Sequence, residues 1–244
     1  MQITEYQKLY SLEESYWWYR GLRELILSAL QIPDKGAEFR LLDAGCGTGG
    51  LLSTIQKQFG AIGLDSMEEA IAMSKKRGVK LIVRGSVDKL PFHAESIDCV
   101  VSLDVLYHSG VDDDEMALRE FHRVMKPSGE LVLNLPAYRF LLSAHDKAVH
   151  SRRRYTKRNL VAKLNGAGFQ IQKITYRNSF LFPLIFVWRM FRKAFKESVS
   201  SSDLFYLPPT VNLILLQIIR CENLLLRWIR FPFGTSVFCI ARKA

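Results

Sequence analysis

A short apolar strand runs into a glycine-rich turn at residues 40–50, and this feature constrains the fold of the chain most. The stretch Arg40-Leu-Leu-Asp-Ala-Gly-Cys-Gly-Thr-Gly-Gly50 has the pattern of a strand that ends at Asp43, a turn, and the start of a helix. Gly45, Gly47 and Gly49 remove side chains where a ligand must approach the backbone. Because N–H groups at a helix start hold polar or anionic ligands, the turn predicts a ligand-binding strand–helix unit.

Candidate strands alternate with helical segments along most of the chain. A helix is predicted over residues 12–31 and another over residues 156–167, and Lys126-Pro-Ser-Gly129 is a turn signal. The strands are expected at 39–43, 61–65, 80–84, 97–102, 130–135, 169–176 and 236–242. This alternation predicts an α/β fold with a largely parallel sheet and helices on both faces.

The glycine-rich stretch resembles the first motif of the class I S-adenosylmethionine (SAM)-dependent methyltransferases, apolar-Leu-Asp-x-Gly-Cys-Gly-Thr-Gly. The resemblance implies a Rossmann-like seven-stranded sheet whose last two strands pair antiparallel. It also implies SAM as cofactor, with S-adenosylhomocysteine (SAH) as product. We expect a single domain over 1–244, with an N-terminal helical cap at 1–35 and an amphipathic helical insertion at 177–233 between the last two strands.

Two other interpretations of the turn compete with this one. Gly45, Gly47 and Gly50 also satisfy G-x-G-x-x-G, the dinucleotide fingerprint, and a strand–helix turn can bind nothing at all. Asp43 favours the methyltransferase, because a carboxylate two residues before the first glycine lies poorly against a pyrophosphate. The resemblance implies that Asp43 orients the loop near the amino group of SAM.

Further cofactor-binding residues follow from position and from the resemblance. Asp65 ends the second strand, and a carboxylate there can accept both ribose hydroxyls, although an Asp is also common at helix starts. The resemblance places Ser66 and Met67 at the adenine, and the Leu103 backbone at the methionine part. Cys46 and Val87 are further candidates, and Ser86, or the backbone with Asp88, is the candidate partner of the adenine amino group. Trp17 would cover SAM, and Arg20 would pair with its carboxylate. Packing on the core is the alternative for the aromatic residues.

The substrate side is predicted from histidines and arginines that follow the fourth and fifth strands. His108, His145 and His150 are candidate proton acceptors, and Arg152 to Arg154 suit a phosphate or carboxylate. A structural role for His108 and a solvated surface loop for 145–155 are the alternatives. The segment resembles a bacterial, methyltransferase type 11-like subgroup with a His-Asp…His-x-x-Arg-Arg-Tyr pattern. No residue spacing predicts a metal site.

Charge is divided unequally along the chain. Residues 1–136 carry a net charge of −5, whereas residues 137–244 carry +15. The insertion contains two basic amphipathic stretches: Arg189, Arg192, Lys193 and Lys196 form one stripe, and Asn212, Arg220, Asn223, Arg227 and Arg230 form another. Such helices bind anionic membrane surfaces, and packing on the core or in a homodimer is the alternative.

These features predict a SAM-dependent methyltransferase that acts on a small-molecule or lipid-linked acceptor. We expect a cytoplasmic protein, peripheral on the inner face of the membrane, since no signal peptide or span is visible and the cysteines show no disulfide pattern. An RNA methyltransferase is one alternative, but nucleic acid is disfavoured because no base-binding motif or RNA-binding module is found. A scaffold that has the SAM-binding fold without turnover is the other.

Overall fold

A seven-stranded sheet organises the part of the chain that the structure describes. The computed structural model describes residues 2–30, 38–143, 146, 149–194 and 206–244, with residues 192–194 described by their backbone alone. The strands are β1 (Leu41–Ala44), β2 (Ala61–Asp65), β3 (Ile82–Arg84), β4 (Ile97–Leu103), β5 (Met125–Pro136), β6 (Phe169–Arg177) and β7 (Ser236–Lys243). Their order is β3-β2-β1-β4-β5-β7-β6, and β7 runs antiparallel to both of its neighbours. The predicted fold class is confirmed.

Helices cover both faces of the sheet. They are α1 (Ile3–Leu12), α2 (Trp17–Ala29), α3 (Gly50–Ile55), α4 (Glu68–Lys76), α5 (Asp114–Val124), α6 (Lys157–Gly166), α7 (Phe182–Ala194) and α8 (Pro209–Leu225). Leu25 and Leu52 belong to the core on one face, and Phe121 and Leu160 belong to the core on the other. Helices α7 and α8 lie between β6 and β7 in the chain.

Two local predictions differ from the structure. The helix predicted over 12–31 begins only at Trp17 as α2, and α1 is a separate helix that ends at Leu12. The N–H of Trp17 donates to Asn212 Oδ1 of α8 at 2.9 Å, and this contact accompanies the start of a new helix after the turn that follows α1. The turn predicted at 126–129 lies inside β5 as an irregular stretch, where Ser128 has a φ of +62°. A tertiary contact therefore accompanies the start of α2, and strand pairing determines the conformation of the chain at 126–129.

The topology places a crevice beyond the carboxyl ends of β1 and β4. The chain proceeds from β1 outward to β2 and β3, and then returns to β4 on the other side of β1. Ligands of open α/β sheets bind where the strand order reverses in this way. Helices α1 and α2, together called the N-terminal cap below, pack on the insertion helices through a cluster that contains Leu12, Trp17, Leu216 and Ile219.

Candidate active site

A cavity of about 1260 Å³ occupies this crevice, and it contains most of the predicted cofactor residues. The turn after β1 contributes Asp43, Gly45, Cys46 and Gly47 to its wall, and the N-terminal cap contributes Trp17. Loops after β2, β3 and β4 add Asp65, Ser66, Met67, Ser86, Val87 and Leu103. Residues from four strand ends and from the first turn of α2 therefore meet at one site.

Asp65 joins the glycine turn to the loop after β2. Its Oδ2 accepts the N–H of Gly47 at 2.9 Å, and its Oδ1 accepts the N–H of Met67 at 2.9 Å. A carboxylate oxygen can accept more than one hydrogen bond, so both oxygens keep capacity for a ligand. The two oxygens of a carboxylate fixed in this way suit a pair of neighbouring hydroxyls, as in a ribose.

Glycine is required at two positions of the turn for different reasons. Gly45 has a φ of +88°, and a Cβ there would lie 2.3 Å from Val105 Cγ2. Gly49 also has a positive φ, but it lies outside the cavity wall, and a Cβ there would lie 2.2 Å from Ser74 Oγ. Gly49 thus allows the turn to pack on α4, which corrects its predicted role in cofactor contact.

Three carboxyl groups line one part of the cavity, called the carboxylate end: Glu13, Asp43 and Asp65. Burial, and then the nearby Glu13 and Asp65, raise the pKa of Asp43 to about 8. Burial also raises the pKa of Asp65 and of Glu13. A ligand with positive charge relieves this crowding, whereas a pyrophosphate would add to it. These three carboxyl groups therefore fit SAM, which carries a sulfonium and an ammonium group, better than they fit a dinucleotide.

Glu13 anchors the N-terminal cap to the glycine turn. Its Oε2 accepts the hydroxyl of Thr48 at 2.5 Å and the N–H of Gly50 at 3.1 Å. Arg77 lies 3.4 Å from the same oxygen and donates to the carbonyls of Thr48 and Tyr10. Glu13 could not be predicted from the sequence, because a single acidic residue near the end of a helix carries no motif.

Arg20 does not line the cavity, which corrects its predicted contact with the cofactor carboxylate. It lies one turn before Glu24 on the same side of α2, and Glu24 forms an ion pair with Arg220 of α8 at 2.6 Å. Arg23 lines the cavity instead, and its guanidinium donates to the carbonyl of Gly50 at 3.1 Å. The pairing of α2 with α8 therefore orients Arg20 away from the site.

His108 lines the cavity beyond the end of β4. Its Nδ1 lies 2.7 Å from the carbonyl oxygen of Val149, and its ring stacks on Tyr107 with centroids 4.2 Å apart. Because a carbonyl only accepts, Nδ1 must carry the hydrogen, which leaves Nε2 as the acceptor in the neutral ring. Burial lowers the pKa of His108 to about 4, so the ring is neutral near pH 7.

Asp104 is a second proton acceptor in the cavity wall. Its φ is +54°, and both of its carboxylate oxygens lie 3.1 Å from Asn134 Nδ2 of β5. Burial raises the pKa of Asp104 to about 6, against the opposing effects of Asn134 and Arg177. A carboxyl group that titrates close to neutral pH has the basicity that proton transfer requires.

The segment 145–155 contributes to the cavity through different residues from those predicted. His145 lies outside the described residues, as does Lys196 of the first basic stripe. His150 is exposed and absent from the cavity wall, and its backbone carbonyl accepts the N–H of Ser109 at 2.8 Å. Its φ of +52° marks a turn that directs the side chain outward, which corrects its predicted catalytic role. Asp146, Val149 and Arg154 line the cavity.

The three consecutive arginines have separate roles. Arg154 is buried and forms a bidentate pair with Asp146, in which Nε–Oδ1 and Nη2–Oδ2 are both 2.9 Å. Arg153 donates to the carbonyls of Leu106, Val111 and Asp112, and therefore joins neighbouring loops. Arg152 is exposed and binds the Asp112 carbonyl. Of these arginines, Arg154 alone lies in the cavity wall.

Helix α7 lines a part of the cavity away from the glycine turn. Leu184, Ile185, Trp188 and Arg189 line it, together with Asp146 and Arg154. We call the part bounded by Asp146, Arg154 and Arg189 the arginine end. Arg189 was predicted to lie in a surface stripe, because helical periodicity alone does not indicate that α7 borders the cavity.

The polar stripe of α8 contacts the N-terminal cap. Besides its contact with Trp17, Asn212 donates through Nδ2 to the Ser15 carbonyl at 3.0 Å. Asn223 donates to the Gly21 carbonyl at 2.8 Å, and Arg220 pairs with Glu24. These residues pair with α2 rather than facing a membrane, which corrects the predicted stripe. Arg227 and Arg230 are exposed.

Neither a membrane span nor a metal cluster occurs in the described part of the chain. No helix in those ranges combines the length and the hydropathy that crossing a bilayer requires. No group of three or more potential ligand side chains is placed to hold a metal ion there either.

The fold and the site together define a class I methyltransferase-type α/β protein. Residues 42–133 match the family model described as "Methyltransferase domain", and this match is consistent with a class I SAM-dependent methyltransferase. The demethylmenaquinone methyltransferase of Staphylococcus epidermidis is 29% identical over 149 residues, which are 55% of this chain and 60% of that protein. Four further curated relatives are matched over only 20% to 43% of their own length.

Solved structures share the fold, among them the following two. A SAM-dependent methyltransferase from Thermotoga maritima, described as a possible histamine N-methyltransferase, superposes with a TM-score of 0.61 at 18% identity, covering 99% of this chain and 96% of that one. Geranyl diphosphate C-methyltransferase from Streptomyces coelicolor A3(2), in complex with Mg²⁺, geranyl diphosphate and SAH, gives a TM-score of 0.61 at 15% identity, covering 93% and 79%.

Proposed function

We propose that the protein transfers a methyl group from SAM to a polar atom of a small-molecule or lipid-linked acceptor. The observation that carries this proposal is one cavity that runs from the carboxylate end to apolar side chains of α7. When bound at the carboxylate end, SAM supplies an electrophilic methyl group. The residues of this chain then bind, orient and desolvate both reactants.

Each group of residues has a defined role in this proposal. Asp65 accepts the ribose hydroxyls, and Asp43 and Glu13 offset the positive charge of the cofactor. The N-terminal cap excludes water from the reacting atoms through Trp17 and the Glu13 contact. At the acceptor, Asp104 takes up a proton, because its pKa of about 6 leaves it mostly ionised at pH 7. The neutral His108 holds the acceptor O–H or N–H through Nε2.

The apolar wall favours an acceptor with a hydrocarbon part. Leu184, Ile185, Leu207 and Leu215 border the cavity beyond the carboxylate end. The names of two similar proteins specify demethylmenaquinone and geranyl diphosphate, which both carry apolar chains. A lipophilic small molecule or a lipid-linked acceptor accounts for this wall, whereas a small hydrophilic metabolite would leave it without a partner.

We further propose that α7 binds an anionic membrane surface, on the inner face of the membrane. Leu184, Val187, Trp188 and Phe191 recur at helical spacing along one side of α7, and each is between 58% and 67% exposed. An exposed apolar stripe of this kind is typical of helices that lie in the membrane interface. Arg227 and Arg230 are exposed in the same insertion and would face anionic head groups. A second copy of the chain is the competing partner for this stripe.

Nucleic acid is a weaker partner, although the second half of the chain is basic. Arg153, Arg154 and Arg220 are engaged by carbonyls or carboxylates of the chain itself. Arg177 is fully buried. The positive charge is therefore partly internal, and the electrostatic footprint that RNA binding needs is smaller than the sequence suggests.

Vesicle flotation tests the membrane proposal. We expect the protein to float with vesicles that contain acidic phospholipid, and we expect this binding to weaken as salt rises. The double variant Val187→Asp and Phe191→Asp should stay at the bottom of the gradient. Met116→Asp changes a residue of α5 with 49% exposure and should float like the wild type. Equal recovery with neutral vesicles, or a dimer that the double variant converts to a monomer, would contradict binding to an anionic membrane surface.

Transfer of label from radioactive SAM tests the reaction. The protein is incubated with labelled SAM and either a bacterial lipid extract or total RNA. Label in the lipid fraction supports the proposal, and label in RNA refutes it in favour of an RNA methyltransferase. If SAM does not bind, as calorimetry would show, the scaffold without turnover is the better interpretation.

A further inference from the structure

We infer that the acceptor is an anionic amphiphile, whose phosphate or carboxylate head group binds Arg154 and Arg189 at the arginine end while its tail lies along α7. This inference rests on the proposed function and names the substrate class of the same site. It follows from the hydrogen-bonding capacity of Arg154, from a cluster of guanidinium groups, and from the exposed apolar residues of α7 in the cavity wall.

Arg154 is held rigidly and still has donors to offer. Its Nε and Nη2 bind Asp146, and its Nη1 donates to the Ala137 carbonyl at 2.9 Å. A guanidinium has five N–H groups, and these bonds occupy three of them. Because Arg154 lines the cavity, the other two can reach a ligand oxygen there. Asp146 is in turn fixed by the N–H of Ser143 at 2.7 Å, so the pair forms a preorganised site.

Arg189 approaches the same place from α7. It lines the cavity, and its guanidinium also donates to the carbonyl of Leu141. Arg154 and Arg189 are close enough to repel each other, and this repulsion, after burial, lowers the pKa of Arg154. An anion bound between two guanidinium groups would offset their repulsion, and phosphate and carboxylate have the geometry to accept from both.

A third guanidinium lies behind the wall. Arg177 is fully buried, and its Cζ lies 4.8 Å from the centre of the Trp18 ring, which faces the cavity. Its three nitrogens have no hydrogen-bond partner in the ranges that the structure describes. Burial lowers the pKa of Arg177 to about 10, so it stays charged at neutral pH. Glu222 and Asp104 face it, and Glu222 is itself engaged by the N–H groups of Asn178, Ser179 and Phe180.

The cavity wall includes part of the exposed stripe of α7. Leu184 and Trp188 belong to the cavity wall, although they are 67% and 58% exposed. The apolar path from the arginine end therefore continues to the surface that we propose faces the membrane. Ligand pockets usually measure about 300–1,000 Å³, so a cavity of about 1260 Å³ has room for a second ligand beside a cofactor. An amphiphile could pass from the membrane with its tail still in an apolar environment.

Calorimetry of the full chain saturated with SAH tests this inference. The probes are dodecyl phosphate below its critical micelle concentration, dodecyl maltoside as a neutral amphiphile with the same tail, and inorganic phosphate. We expect dodecyl phosphate to bind with a one-to-one stoichiometry, and at least about tenfold more tightly than either other probe. This result supports both the anionic head group and the tail.

Variants of an arginine in the cavity wall and of an arginine outside it locate the site. Arg189→Gln should weaken dodecyl phosphate about tenfold, leave dodecyl maltoside and SAH unchanged, and recover in part with Arg189→Lys. Arg158→Gln removes an exposed arginine of α6 outside the cavity wall and should change nothing. Thermal unfolding midpoints close to that of the wild type establish that each variant is folded.

Three results would overturn the inference and leave the proposed function intact. Equal affinity for dodecyl phosphate and dodecyl maltoside removes the anion site. Equal affinity for inorganic phosphate identifies a soluble phosphorylated compound, since the tail then adds nothing. Wild-type affinity of Arg189→Gln for dodecyl phosphate places the head group elsewhere. Failure of the wild type to bind SAH would instead refute the proposed function itself.

Discussion

Replacing Asp65 by Ala is the most direct perturbation of the site. The substitution removes two carboxylate oxygens from the cavity wall, and with them the acceptors for the Gly47 and Met67 N–H groups, each at 2.9 Å. Asp65 is 7% exposed, so water replaces these contacts poorly. We therefore expect both a loss of ligand contacts and a less ordered glycine turn.

The magnitude follows from the contacts that are lost. A hydrogen bond to a charged group contributes roughly 1.5–3 kcal/mol, and 1.4 kcal/mol corresponds to about a tenfold change in affinity. Loss of the two ribose contacts should weaken SAH binding at least about tenfold. Burial raises the pKa of Asp65, so the measurement belongs at pH 8, where the carboxylate is ionised more fully.

Isothermal titration calorimetry with SAH measures this effect. Asp65→Asn keeps one acceptor oxygen, but its amide group opposes a backbone N–H, and its affinity should lie between those of Asp65→Ala and the wild type. Asp112→Ala removes an exposed carboxylate outside the cavity wall and should bind SAH normally. Wild-type affinity in folded Asp65→Ala would refute the assignment of Asp65 and the placement of the cofactor at the carboxylate end.

Two further perturbations address the N-terminal cap and His108. Glu13→Gln loses the charge that holds Thr48, Gly50 and Arg77, so SAH affinity should fall about three- to tenfold and amide exchange in α1 should rise. The control is Glu14→Gln, since the Glu14 side chain is 65% exposed, and this variant should resemble the wild type. Equal effects of the two variants would contradict the anchoring role of Glu13. Burial holds the pKa of His108 at about 4 in the folded chain, below its ordinary 6.5, so its contribution to stability is complete above about pH 6.5 and is lost as the pH falls toward 4. Urea unfolding measures how much the free energy of unfolding decreases from pH 7 to pH 4, and this decrease should be about 3 kcal/mol smaller in His108→Gln than in the wild type. An identical decrease in the two proteins would disprove burial of a neutral His108.

The sequence by itself determined the sheet and the carboxylate end of the cavity. Apolar runs such as those of β1 and β4 are buried on both faces, and the glycine turn between Asp43 and Gly50 has a local conformation that few other residues allow. Asp65 could be assigned because the end of the next parallel strand must lie beside the end of β1. These inferences need only neighbouring residues or the regular geometry of a parallel sheet.

Only the tertiary structure decided which helix faces meet. Periodicity gave α8 a polar stripe, but it could not reveal that Asn212, Arg220 and Asn223 pair with α2 rather than with solvent or lipid. In the same way, Arg20 and Arg189 were placed by helix packing, which directs one away from the cavity and the other into its wall. The physical reason is that a helix pattern defines its faces relative to its own axis, whereas the partner of each face depends on residues distant in the chain.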